Sequence, residues 1–168
     1  MKTVPRRPTT HGEAGGIGGA PGAALPPEAT LERLRGLHHP RCFVARDERD
    51  CGLGVRFHAR PDGSVEATVG CPESWEGYPG LVHGGIIASL LDGAMTNALF
   101  ARGTAAVTAE VKIRYWHPLP LGRSASVVGL VAQCEPPLYI VEARITCGDT
   151  VHATCSGKFM RLVEGGGR

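Results

Sequence analysis

Several things that would narrow the function of this 168-residue chain are missing from it. There is no charge excess: 18 Lys and Arg stand against 16 Asp and Glu, a net charge of +2. That is too little to argue for a nucleic-acid partner or an anionic membrane surface. No apolar run approaches the ~20 residues a membrane helix requires. No C-x-x-C pair occurs among Cys42, Cys51, Cys71, Cys134, Cys147 and Cys155, so the close ligand spacing of zinc sites is lacking. His38, His39 and Cys42 come nearest to a metal cluster, but His38-His39-Pro40 reads better as a helix end or turn. Cys134, Cys147 and Cys155 lie in alternating apolar stretches, where a free cysteine packs as a small hydrophobe. Residues 1–10 are basic with no apolar stretch behind them, which argues against a secretory signal. Internal repeats are absent. The expectation is a soluble, cytoplasmic protein with reduced thiols and no metal.

What is present is an ordinary globular composition, 42% apolar and 20% charged. The length suits one domain, which buries roughly 70% of its unfolded surface without needing a staple. Residues 1–27 read as a disordered tail, because the Gly/Ala/Pro run at 11–27 offers no apolar period to bury. Residues 28–163 read as the folded domain and 164–168 as a frayed Gly-rich end.

Within the domain, residues 28–37 predict a short amphipathic helix with Leu31, Leu34 and Leu37 on one face and Thr30 as N-cap. Residues 54–58 and 65–69 alternate around the turn Arg60-Pro61-Asp62-Gly63 and predict a hairpin. Residues 71–80 carry Pro72, Gly77, Pro79 and Gly80 and read as a loop. The best helix runs from about Gly84 to Arg102. Ile86, Ile87, Leu90, Leu91, Ala94, Met95, Ala98 and Leu99 form a broad apolar face. Gly85, Ala88, Ser89, Asp92, Gly93, Thr96 and Asn97 form a small, polar one. Strands follow at 107–116, 124–134, 138–147 and 151–162, the last two flanking the tight turn Gly148-Asp149. Consecutive strands joined by hairpins, with one long helix to cover their apolar face, predict an α+β fold on an antiparallel sheet.

The segment with most chemistry is Glu76-Gly77-Tyr78-Pro79-Gly80-Leu81-Val82-His83-Gly84-Gly85 and the helix behind it. Glycines at a helix start let a ligand approach N–H groups that have no partner within the helix. Those donors, at the positive end of the dipole, suit a developing oxyanion. Asp92 is a mid-helix carboxylate of poor helix propensity, which asks for a reason.

Together, Glu76-Gly77-x-Pro79-Gly80-x-x-His83-Gly84-Gly85, Asp92, Thr108 and Val111-x-Ile113-x-Tyr115-x-x-Pro118-Leu119-Pro120-x-Gly122 resemble the hotdog-fold acyl-CoA thioesterases of the 4-hydroxybenzoyl-CoA and phenylacetate type. The resemblance spans about residues 40–162. It implies a long antiparallel sheet wrapped around one central helix, in homodimers or tetramers with active sites between subunits. It implies an acyl-CoA or acyl-carrier substrate, with coenzyme A entering only as part of it and no further cofactor or metal. Asp92 would act as base or nucleophile, with Thr108 of the same subunit placing water or the carboxylate. The Gly84 N–H would polarise the thioester carbonyl from across the interface. His83 belongs to the same motif, with Gly85, Glu76 and Gly77 as substrate-binding candidates. Departures exist: Gly77 stands where many relatives carry Asn or Gln, and Cys42-Phe43-Val44-Ala45 lacks the second cysteine of a Cys-Phe-x-Cys-Gly pattern. Lys112, Arg114, Arg123, Lys158 and Arg161 are either coenzyme A phosphate contacts or solvated strand faces.

One conflict of phase is visible in the strand. Thr108 alternates with Glu110, Lys112 and Arg114, away from Val111 and Ile113. For Thr108 to meet Asp92 the strand must begin with a bulge, or the site must lie at a subunit seam. The alternative function is an acyl-CoA-binding hotdog protein that does not hydrolyse, a sensor or assembly subunit. A hotdog dehydratase or hydratase fits the spacing less well, and a small metal-binding module less still.

Overall fold

The computed structural model describes residues 25–162. Apart from residues 25–27, the tails expected at 1–27 and 164–168 lie outside the described residues. The elements in order are α1 (Pro27–His38), β1 (His58–Ala59), β2 (Val65–Val69), α2 (Gly84–Ala101), β3 (Ala106–Tyr115), β4 (Ala125–Glu135), β5 (Leu138–Cys147) and β6 (Thr150–Arg161). All six strands join in one antiparallel sheet in the order β1-β2-β4-β5-β6-β3. This is the α+β hotdog arrangement the sequence implied, a long sheet around one helix.

The order places β3 at an edge, paired only with β6. The chain leaves β3 through Pro118–Gly122 and crosses to β4 near the other side of the sheet. β4, β5 and β6 then follow as a meander, with Gly148 at φ +55° in the last turn, a left-handed conformation that glycine adopts at no steric cost.

The core lies between the sheet and α2. Leu90, Leu91, Ala94, Met95 and Ala98 are fully buried, as are Val127, Val141, Ile145 and Phe159 from the strands. At Gly129 of β4 the helix backbone comes so close that a Cβ would stand 2.5 Å from the Ala94 carbonyl oxygen. By length and composition α2 is apolar enough to cross a bilayer, yet 67% of it is buried inside the protein.

Several expectations change. The predicted hairpin is reduced to two residues of β1 against β2. Upstream, Leu53 and Val55 bond instead to the Phe43 and Val44 carbonyls at 2.9 Å each, so this stretch packs on the 42–46 loop. Thr30 does not cap α1. The helix begins at Pro27, and the Thr30 hydroxyl donates back to the Leu25 carbonyl. Leu37 is exposed. Cys134 is exposed, whereas Cys155 is buried. His38 and His39 pack their rings on Phe100, and no metal-binding cluster exists among the described residues.

The expected small, polar face of α2 is not open along its length. Gly93, Thr96 and Asn97 are buried. A Cβ on Gly93 would meet Val44 at 3.0 Å. The Arg35 guanidinium of α1 donates to Asn97 Oδ1 at 3.0 and 3.2 Å and to the Phe57 carbonyl at 2.6 Å, while Asn97 donates to the Gly93 carbonyl at 2.7 Å. A layer formed by α1 and the 42–57 segment covers this half of the helix.

Candidate functional site

The loop before α2 is built to deliver the helix start. Its Glu73–Trp75 turn buries Trp75, whose carbonyl accepts the His83 N–H at 2.8 Å. Glu76 Oε1 accepts the Gly80 N–H at 2.8 Å, and the Gly77 N–H donates to the Leu81 carbonyl at 2.9 Å. A Cβ on Gly77 would stand 2.9 Å from His83 Cα, so that position admits only glycine. Both Glu76 and Gly77 therefore have a local task, closing the loop against His83. The 118–122 turn clamps the loop from outside: Val82 donates to the Leu119 carbonyl and Gly122 to the Cys71 carbonyl.

His83 caps α2. Its Nδ1 accepts the Gly85 N–H at 2.9 Å, which places its proton on Nε2. A Cβ on Gly85 would sit 2.9 Å from that Nδ1, so the second glycine makes the cap possible. The Gly84 N–H finds no acceptor among the described residues and lies in an exposed stretch. It is a free donor at the positive end of an 18-residue helix. The Gly84 carbonyl accepts the Tyr115 hydroxyl at 2.9 Å, a contact that sequence reasoning did not find.

Two turns along, Asp92 is half-buried and its Oδ1 accepts the Thr108 hydroxyl at 2.9 Å. The register of β3 against β6 shifts between Thr108 and Glu110. This bulge adds one residue to the strand, so Thr108 shares the helix-facing side with Val111, Ile113 and Tyr115 despite its odd spacing. Beside the carboxylate, burial pushes the Cys155 thiol up to about 11, and the charge on Asp92 adds to that. The thiol there is neutral at physiological pH.

Between the Gly84 end of the helix and the end of β3 opens a largely apolar cleft of about 400 Å³, lined among others by Tyr78, Ile87, Tyr115, Trp116 and Leu119. Three of the candidate phosphate contacts lie on the face of the sheet turned away from the helix. Lys112 and Arg114 face away from the helix, Arg114 stacked 4.1 Å over Trp116, and Lys158 pairs with Glu110 at 2.8 Å.

Gly84 and Asp92 are eight residues apart in α2, so about 12 Å of helix separates them. Within one chain they cannot flank a single carbonyl group.

The thioesterase superfamily model matches residues 79–154, the stretch that carries the end of the loop, α2, β3, β4, β5 and the start of β6. Among solved structures, the chain is similar to the Escherichia coli PaaI protein from the phenylacetic acid degradation operon. The two share 19% identity over 81% of this chain and 96% of that one, with a TM-score of 0.68. It is also similar to zebrafish thioesterase superfamily member 2 (19%, 79% and 99%, TM-score 0.65). A Streptococcus mutans protein bound to acetyl-CoA matches at 20%, over 74% and 96%, with a TM-score of 0.63. The fold is that of a hotdog protein, and residues 79–154 match the thioesterase superfamily.

Proposed function

We propose that this protein hydrolyses an acyl-CoA or acyl-carrier thioester to the free acid and the thiol, with Asp92 as base and the Gly84 N–H as oxyanion donor. The observation that carries this reading is the Thr108–Asp92 pair. A strand bulge orients a hydroxyl onto a half-buried helix carboxylate, which fixes one carboxylate oxygen and leaves the other for water.

The 12 Å between Asp92 and Gly84 asks for two copies of the chain. β3 is a ten-residue edge strand with Val107, Val111 and Tyr115 exposed, and an edge of that length seeks a partner. Thr108 lies near one end of β3, by Asp92. Tyr115 lies at the other, by Gly84. Antiparallel pairing of two β3 strands about a two-fold axis at Lys112, with the bulge counted, sets Thr108 opposite Tyr115 of the partner subunit. Each Asp92 then faces Gly84 of the partner subunit, and each homodimer holds two sites.

At such a site, Asp92 takes a proton from water as the water oxygen attacks the thioester carbonyl carbon. The charge that develops on the carbonyl oxygen is met by the Gly84 N–H. Collapse of the tetrahedral species breaks the C–S bond, and the leaving thiolate takes the proton that Asp92 had drawn from water, which restores the carboxylate. The apolar cleft beside Gly84 seats the apolar part of the substrate. The chemistry draws on these groups alone, with no metal or cofactor, and suits a cytoplasmic setting in which acyl-CoA is at hand.

The test is thiol release from short, medium, long and aryl acyl-CoAs, with wild type beside Asp92→Asn. Hydrolysis by wild type that collapses in the variant supports the reading. Folded protein that binds an acyl-CoA without hydrolysing any would make it a binding protein. Activity unchanged in Asp92→Asn would mean another group is the base.

A further inference from the structure

Both peptide planes that meet at Gly84 are pinned. The plane before it is held through the His83 carbonyl, which accepts from the Ile86 and Ile87 N–H groups at 3.0 and 3.2 Å. The plane after it is held at two edges. The Gly85 N–H donates to His83 Nδ1, and the Gly84 carbonyl accepts the Tyr115 hydroxyl, each at 2.9 Å. Three of these bonds lie within the loop and helix start. The fourth comes from the end of β3, 31 residues on.

That fourth bond matters because Gly84-Gly85 is the least restrained start a helix can have. Two residues without Cβ sample backbone conformations closed to others. A helix N-terminus also frays more readily than its middle. Yet an oxyanion donor contributes fully only if its direction is set before the charge develops, so that nothing reorganises during reaction. The phenol ring lies against the glycine, 3.8 Å from where a Gly84 Cβ would stand. It is carried by a strand whose other end orients Thr108.

We propose that Tyr115 is a positioning residue for the oxyanion donor: its hydroxyl, anchored at the end of β3, holds the Gly84–Gly85 peptide and, by fixing the backbone on the far side of Gly84 Cα, keeps the neighbouring plane that carries the Gly84 N–H from turning. This deepens the hydrolase reading above and rests on it. Burial of Tyr115 holds its phenol above the ordinary range, so it remains a donor through neutral and mildly alkaline pH. The effect belongs to the transition state, where the carbonyl oxygen carries charge, and so falls on kcat more than on KM.

The test is Tyr115→Phe in the full chain, which removes the hydroxyl and keeps the ring in the cleft. Two readouts are taken: steady-state hydrolysis of the acyl-CoA that wild type cleaves best, and the assigned Gly84 and Gly85 amide resonances of ¹⁵N-labelled protein. The expected result is a kcat lower by about tenfold, less than the loss of a whole oxyanion donor. KM should stay within about twofold, since ground-state contacts persist, and the two glycine amides should shift and broaden. An unchanged kcat overturns the proposal. So does a loss of kcat accompanied by a large fall in melting temperature with the glycine amides in place, which would mark a merely structural tyrosine. Should wild type cleave nothing, the hydrolase reading fails by itself. The amides still decide then: unmoved in Tyr115→Phe, they sink the positioning role, and displaced, they uphold the brace without the reaction.

Discussion

The two halves of α2 have the same composition class and opposite duties. From Gly93 to Ala101 every residue is buried, with the sheet on one side and α1 and the 42–57 segment on the other. From Gly84 to Asp92 the helix packs on the sheet but leaves Gly84 and Gly85 exposed and Ala88, Ser89 and Asp92 half-open. The difference lies in the cover, which ends where the Arg35–Asn97 network ends. A long apolar helix is thereby anchored at its C-terminal half and left free at its N-terminal half. A helix start packed on all sides would satisfy its free N–H groups internally and have none to offer a substrate.

The sharpest way to break this comparison is to disable the open half alone. Asp92→Asn should lower kcat by about 10²- to 10⁴-fold, the range of positioned proton transfer, with stability near wild type. Gly84→Pro addresses the other group. Gly84 is the first helical residue, and His83 before it has φ −59° and ψ 133°, the extended conformation that a following proline prefers. Proline there removes the N–H and keeps the helix, so kcat should fall about 10²- to 10³-fold. The two variants also test the shared site. Mixed and allowed to exchange subunits, they form heterodimers with one intact site each, so activity should recover to about a quarter of wild type, as random pairing in a two-fold dimer dictates. No recovery, with exchange shown by mass, would place both groups in one subunit's site.

The covered half breaks differently. Asn97→Ala strips the 7% exposed Arg35 guanidinium of its amide partner. Stability should drop by about 2–3 kcal/mol, the worth of hydrogen bonds to a buried charged group. It is measured by denaturant unfolding, and kcat of the folded protein should hold. A large loss of kcat with little loss of stability would mean that the two halves are not separate in duty.

Between these lies Thr108→Val, which keeps the shape and removes the hydroxyl that sets Asp92. A fall in kcat of about tenfold is expected, corresponding to one hydrogen bond to a charged group. Thr108 also shows what could be read in advance. Its spacing to Asp92 is legible in the sequence, and so is the phase conflict that calls for either a bulge or a subunit seam. The bulge itself is not, because a bulge is a property of two paired strands and the partner, β6, is some fifty residues away. For the same reason the hydrophobic periods of the long strands and of α2 could be read off, while the transfer of β3 to the far edge could not. Arg35–Asn97 and Tyr115–Gly84 escaped altogether. Each joins an ordinary surface-looking residue to a distant backbone or amide group, and no local pattern marks such a pair.

The smallest effect expected separates the two helix starts. α2 opens on a side-chain cap, His83 Nδ1 to the Gly85 N–H. α1 opens on Pro26 and Pro27 with no side-chain cap, and Thr30, the residue of capping type, sits inside the first turn with its hydroxyl turned back to the Leu25 carbonyl. A proline at the start needs no cap for its own missing N–H and is already fixed in φ. Thr30→Ala should therefore cost less than about 0.5 kcal/mol, whereas loss of a true Thr N-cap costs about 1. His83→Ala should cost about that much and also lower kcat, since the same bond fixes the peptide next to the proposed oxyanion donor. Equal losses of stability at the two positions would mean that the threonine supports its helix as a cap does, and that the contrast between a start built only to begin a helix and one built to present its N–H groups is not written in these bonds.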